Sequence, residues 1–217
     1  MIVLLWTRPG NDTLATLLLA HGSGAPMDSP FMNRFAEYAA EKGIATARFE
    51  FPYMAQRRHG GSKRPPPRVD GLMVEFNEII NAALSEVRGP ILIGGKSMGG
   101  RVAAMLGSQN ELDERVAGIV CLGYPLHPQG KPDQLRLEPL TANRLPLLIV
   151  QGDRDPFGTQ AEFDSLSLPG TIDLVWAENG NHDLAPTGRS PATWQGNLSL
   201  AAQATRSFAE TVLTDRK

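Results

Sequence analysis

Four short segments carry residue types that could do chemistry together: Gly95-Lys96-Ser97-Met98-Gly99, Gly152-Asp153-Arg154-Asp155, Asn179-Gly180-Asn181-His182 and His21-Gly22-Ser23-Gly24. A serine hydroxyl is a weak nucleophile until a base takes its proton. An imidazole does this best when a carboxylate fixes its tautomer. Ser97 is the candidate nucleophile, because G-x-S-x-G here follows an apolar run (Pro90-Ile91-Leu92-Ile93-Gly94) and opens a small-residue helical one. In so tight a strand-to-helix turn, side chains two positions before and after the serine would strike backbone, and glycine at 95 and 99 removes them. Ser97 then stands at a helix N-terminus, where free amides can stabilise developing negative charge. The letters Gly95-Lys96-Ser97 also end a phosphate-loop motif, but that motif needs glycine at 90, where this chain has Pro90 at the edge of a strand.

His182 is the candidate base, the histidine in a late loop that follows both the serine and the acid in chain order. Asp155 is preferred as its carboxylate partner, since it lies three residues past Gly152, where the loop has turned over the strand end; Asp153 is the alternative. Receiving an oxyanion needs two amides. The backbone of Met98 supplies one, and Ser23, in the loop after an early strand, supplies the other, with Gly24 or Ala25 as alternatives. His21 is read as a structural residue that holds this loop.

The elements that must position these groups are legible as aliphatic runs alternating with helical patterns. Strands are expected at Leu14–Ala20, Ile44–Phe51, Ile91–Gly94, Val116–Leu122, Leu147–Gln151 and Thr171–Ala177, with Ile2–Trp6 an antiparallel edge strand. Near-continuous apolar runs of this kind suit strands buried on both faces of a parallel sheet. Helices are expected at Phe31–Lys42, Val69–Val87, Met98–Ser108, Thr159–Leu166 and Pro191–Leu213. Such alternation gives right-handed crossovers and an α/β fold: a mostly parallel twisted sheet of about seven strands, helices on both faces. Each chemical segment then follows the carboxyl end of a strand, where open α/β sheets hold their sites. About two dozen residues separate Leu122 from Leu147, too few for a cap domain, so a lidless sheet in a single domain over residues 1–217 is expected.

The 217 residues are 41% hydrophobic and 20% charged, with net charge −2, which gives no sign of a nucleic-acid or membrane-surface partner. The apolar start Met1–Trp6 lacks a basic leader and breaks at Thr7-Arg8-Pro9-Gly10, so it is not read as a signal peptide. With one cysteine, Cys121, a cytoplasmic setting is expected. The chemistry requires no metal or organic cofactor, and no cysteine–histidine cluster suits zinc. Oligomeric state is open.

His21-Gly22, the stretch from Gly94 to Arg101 (GGKSMGGR), Gly152-x-x-Asp155 and Gly180-x-His182 together resemble the α/β-hydrolase superfamily, and its small, lidless, dienelactone-hydrolase-like branch most of all. Phe51-Pro52-Tyr53-Met54 and Gly123-Tyr124-Pro125-Leu126-His127-Pro128 are similar to a bacterial subgroup of predicted hydrolases, itself similar to a domain of a eukaryotic chromatin-complex subunit and a testis-expressed protein. The resemblance implies an eight-stranded sheet with its first strand missing here, and acyl transfer to water through an acyl-enzyme. Dienelactone hydrolases proper use cysteine where this chain has Ser97, so their substrate does not carry over. The expected substrate is a small soluble ester. A non-catalytic hydrolase-fold interaction module is the alternative.

Basic residues Arg57, Arg58, His59, Lys63, Arg64 and Arg68 crowd one loop with no acid before Asp70, and Lys96 flanks the serine. Arg57, Arg58 and Lys96 are therefore candidates for binding an anionic group on the substrate, against the plainer reading of a solvated basic loop. Tyr124 and His127, after another strand, are candidate pocket residues, with turn or packing roles as the alternative. Without a lid, little would bury a long acyl chain, which disfavours a true lipase.

Overall fold

The structure, a computed structural model, describes residues 2–61, 65–109 and 112–214. Its strands are β1 (Leu5–Thr7), β2 (Ala15–Ala20), β3 (Ile44–Phe49), β4 (Ile91–Lys96), β5 (Val116–Leu122), β6 (Leu147–Gly152) and β7 (Ile172–Ala177). They form one sheet in the order β1-β3-β2-β4-β5-β6-β7, parallel throughout except for β1. The helices are α1 (Pro30–Glu41), α2 (Pro52–Ala55), α3 (Val69–Glu86), α4 (Met98–Gly107), α5 (Glu138–Thr141), α6 (Gln160–Asp164) and α7 (Trp194–Thr214).

Both faces of the sheet are covered, which is why the strands read as unbroken aliphatic runs. Successive side chains leave a strand on opposite faces. Leu18, Ile91, Ile93, Ile119, Cys121 and Ile149 pack with Leu72, Phe76 and Ile80 of α3 and Val102 and Leu106 of α4. Leu17, Leu19, Leu92, Val120, Leu122 and Val150 pack instead with Phe31 and Phe35 of α1 and Leu198, Ala202 and Phe208 of α7. Each fully buried aliphatic or aromatic side chain contributes roughly 1.5–3 kcal/mol through removal from water, so both helical layers are anchored.

Differences from the sequence reading lie at the margins. The antiparallel edge strand is Leu5–Thr7, while Ile2 and Val3 lie outside it and are exposed. β4 runs two residues past Gly94, because Gly95 and Lys96 still pair with Cys121 and Leu122. The basic segment opens helically: Pro52 at the first helical position starts α2, which passes into a 3₁₀ turn over Gln56–His59. Lys63, Arg64 and the side chain of His59 lie outside the described residues. Between β5 and β6 stands only the short α5, and no separate cap domain is present among the described residues. Nor is any described helix long and apolar enough to cross a membrane.

Candidate active site

The chain leaves β4 through a turn that only a strained residue can make. Ser97 has φ 53° and ψ −114°, a positive φ that non-glycine residues rarely adopt. The turn is also crowded. A Cβ at Gly95 would lie 2.5 Å from the Gly99 carbonyl carbon, and one at Gly99 would lie 2.6 Å from the His21 carbonyl oxygen. The two glycines are thus what allow the elbow to nest against the end of β2. In that position the serine caps α4, whose first amides have no partner within the helix.

The loop after β6 turns over the sheet edge, with the Asp155 amide donating to the Gly152 carbonyl at 3.1 Å. Gly152 is needed because the loop after β7 crosses directly over it: a Cβ there would meet the Gly180 and Asn181 carbonyl oxygens at 2.3 and 2.4 Å. That crossing brings His182 over Asp155. The result is a continuous line of polar atoms, with Ser97 Oγ 2.8 Å from His182 Nε2, and His182 Nδ1 2.7 Å from Asp155 Oδ2. Asp155 is wholly buried. Its Oδ1 accepts from the Phe157 amide at 2.9 Å, and its Oδ2 also accepts from Gln151 Nε2 at 2.9 Å. Phe157 packs its ring against the imidazole with centroids 4.4 Å apart. With Nδ1–H held by the carboxylate, Nε2 is free to accept the serine proton, and a desolvated carboxylate can stabilise the imidazolium that forms.

Asp153, the alternative acid, faces another way: its Oδ2 accepts from the Asn179 amide at 2.9 Å and so ties the two loops together. Ser23 lines the same cleft as Ser97 and Met98. Tyr53 Oη donates to the Ser23 carbonyl at 3.1 Å, and among the described residues the Ser23 amide has no acceptor. His21 is buried beneath, its Nε2 accepting from the Phe51 amide and its Nδ1–H directed at the Gly22 carbonyl. Burial lowers its pKa first, with the nearby Arg57 and Arg58 acting in the same direction. The ring is therefore a neutral strut. Lys96 also lines the cleft, largely buried, with Nζ 3.3 Å from Asp183 Oδ1 and 5.3 Å from the Phe31 ring. Burial draws it below the usual lysine range, against the pull of Asp183 and Asp155.

The remaining candidates lie elsewhere. Arg58 grips Asp28 and Glu50 with contacts of 2.7–3.0 Å, so its guanidinium is committed away from the cleft. Arg57 sits 5.4 Å over the Tyr53 ring and is not part of the cleft wall. Tyr124 is fully buried, donating its hydroxyl to the Arg136 carbonyl at 2.7 Å, and is a packing residue. His127 is likewise buried, between the Pro128 carbonyl and Glu162.

The cleft has a volume of about 460 Å³, within the range of small-molecule sites. Its walls include Pro67, Val69, Leu72, Met98, Pro125 and Phe157. The sequence reading missed Gln151, Phe157, Arg101 and Arg136. Gln151 and Phe157 flank the Gly152–Asp155 segment and Arg101 closes the stretch around the serine, whereas Arg136 stands apart from any motif. Among the described residues, no group of three or more His, Cys, Asp or Glu converges as a metal site would.

Known proteins carry the same architecture. Residues 13–210 match a family model described as an alpha/beta hydrolase domain. Among solved structures, an alpha-beta serine hydrolase homologue from Coxiella burnetii is 18% identical with a TM-score of 0.66, covering 99% of this chain and 95% of its own. A dienelactone hydrolase from Anabaena variabilis is 21% identical with a TM-score of 0.68, covering 95% and 89%. Est1E from Butyrivibrio proteoclasticus is 14% identical with a TM-score of 0.65, covering 96% and 93%. At these identities the structural likeness speaks to fold.

Proposed function

The chain belongs to the alpha/beta hydrolase domain family, and on that premise we propose that it is a serine hydrolase cleaving small carboxylic esters through an acyl-enzyme, the whole chain acting as one domain. Ser97 attacks the ester carbonyl while His182 Nε2 takes its proton. The tetrahedral oxyanion is received by the amides of Met98 and Ser23. The tetrahedral intermediate then collapses: the alkoxide leaves, and the imidazolium returns the proton to it. Water repeats the sequence and frees the acid. Asp155 holds the imidazole in the required tautomer throughout.

The observation that carries this reading is the unbroken contact from Ser97 Oγ through His182 to Asp155, at 2.8 and 2.7 Å. An interaction module has no need to hold a serine at φ 53° against an imidazole. A cleft of about 460 Å³, without a cap domain among the described residues, supports short soluble esters over long-chain lipids, and the single cysteine and modest charge suit a cytoplasmic setting.

The test is covalent labelling with a fluorophosphonate probe, alongside hydrolysis of p-nitrophenyl esters. Wild type is expected to label at Ser97, and Ser97→Ala to lose both labelling and turnover. Asp155→Asn is expected to lower kcat by on the order of 10⁴-fold by favouring the wrong tautomer. Wild-type protein that neither labels nor hydrolyses any ester overturns the proposal.

A further inference from the structure

Two cations in the cleft have no counter-ion among the described residues. Arg101 and Arg136 both line it with Ser97 and His182, yet neither forms an ion pair with any described carboxylate. Arg101 Nε is buried with no hydrogen-bond partner. Arg136 donates only weakly to the protein, from Nη1 to the Pro125 carbonyl at 3.3 Å. The charge of Arg101 also bears on Arg136. Burial is the main influence drawing Arg136 below the usual arginine range, and the charge of Arg101 is the next.

Placing like charges together, partly out of water, is unfavourable unless something opposite meets them. The other charges in the wall do not fill that role, since the cleft's Asp183 is matched by Lys96. Position adds direction. Arg101 stands in the first turn of α4, its amide donating to the Ser97 carbonyl at 3.0 Å, and helical side chains lean toward the N-terminus, here toward the serine. Arg136 reaches the cleft from the segment between β5 and α5. Planar guanidinium forks from two elements are well suited to an oxygen-rich anion.

We propose that Arg101 and Arg136 form an anion subsite beside Ser97, so that the preferred ester carries a carboxylate or phosphate at the end away from the scissile bond. Arg57 and Arg58, marked by the basic loop, have no part in it. The inference rests on the serine-hydrolase reading for its catalytic arm only, and its binding arm stands apart.

The catalytic arm compares the mono-p-nitrophenyl ester of glutaric acid with p-nitrophenyl valerate, which ends in methyl where the first ends in carboxylate. Wild type is expected to favour the acidic ester in kcat/KM by tenfold or more. Arg101→Gln and Arg136→Gln are each expected to lower that preference by about 10- to 100-fold, chiefly through KM, as loss of a charged hydrogen bond does. In the binding arm, Ser97→Ala protein is titrated calorimetrically with glutarate and with inorganic phosphate, which separates the two kinds of anion. Heat with either that disappears when Arg136→Gln is added supports the subsite even if no ester is turned over. Should Arg101→Gln fail to fold, Arg136→Gln on its surface segment carries both arms. Wild type with no preference for the acidic ester, or variants that lose both esters equally, overturns the subsite while labelling at Ser97 leaves the hydrolase intact. Absence of both labelling and ester turnover sinks the hydrolase reading alone, and the titration then decides the subsite: heat lost on adding Arg136→Gln upholds it, and no heat with either anion overturns it.

Discussion

Gln151→Leu gives a sharp test of how the carboxylate is held. Gln151 is wholly buried at the end of β6, its side-chain amide surrounded by four polar partners. Its two Nε2 hydrogens are shared among three acceptors, Asp155 Oδ2 at 2.9 Å and the Gly158 and Tyr124 carbonyls at 3.0 and 3.2 Å, while its Oε1 accepts from the Tyr124 amide at 2.7 Å. Leucine has a similar volume and none of these contacts. The bond to the carboxylate is worth about 1.5–3 kcal/mol, and orphaning the buried Tyr124 amide costs about 1–3 kcal/mol. The remaining hydrogen, shared between the two carbonyls, adds about 0.5–1.5 kcal/mol, and the apolar side chain offsets part of the loss. A net loss of roughly 3–5 kcal/mol follows, which for a chain of this length lowers Tm by about 6–20 °C. Calorimetry together with urea unfolding at pH 7 measures it. Because Asp155 loses a donor but keeps His182, kcat is expected to fall, by less than in Asp155→Asn. A loss below about 1 kcal/mol would refute the reasoning, since it would mean that this network carries little of the local stability.

Two further outcomes follow from close packing and from burial. Gly99→Ala is expected to destabilise by at least about 1–3 kcal/mol, because its Cβ would meet Ala20 Cβ at 2.7 Å and the His21 carbonyl at 2.6 Å with nothing flexible to yield. Gly71→Ala in α3, where a Cβ meets nothing within 4 Å, is expected to stabilise by about 0.5–1 kcal/mol; urea unfolding showing the same sign for both contradicts this. The lowered pKa of His21 means that the unfolded chain binds a proton the folded one resists, so stability is expected to fall as pH drops below about 6.5. His21→Gln is expected to flatten that slope by up to one proton, and an unchanged slope in unfolding measured from pH 7 to 5 rules out His21 as its source.

Most of the frame was legible because strands covered on both faces must be apolar throughout, and Leu17–Leu19 or Ile119–Leu122 admit little else. Ser97, Asp155 and His182 were legible because a tight turn needs glycine at fixed offsets, which marks the place. Gln151 left no such mark: a polar residue ending a strand looks ordinary until Tyr124 and Gly158 close around it. Arg58 was misplaced because its acids come from Asp28 and Glu50, earlier in the chain than the basic loop itself. Arg101 and Arg136 lie on separate elements, and only folding shows that no acid accompanies them.

The strand order has an asymmetric consequence. β4, which ends at the serine, has three strands on each side, whereas the histidine is carried by the loop after β7, the outermost strand. Fraying at either margin leaves the hydroxyl in its seat, but fraying at the β7 margin carries the imidazole away. Partial melting would therefore undo this constellation from one flank, leaving the Ser97 hydroxyl in place with no imidazole beside it.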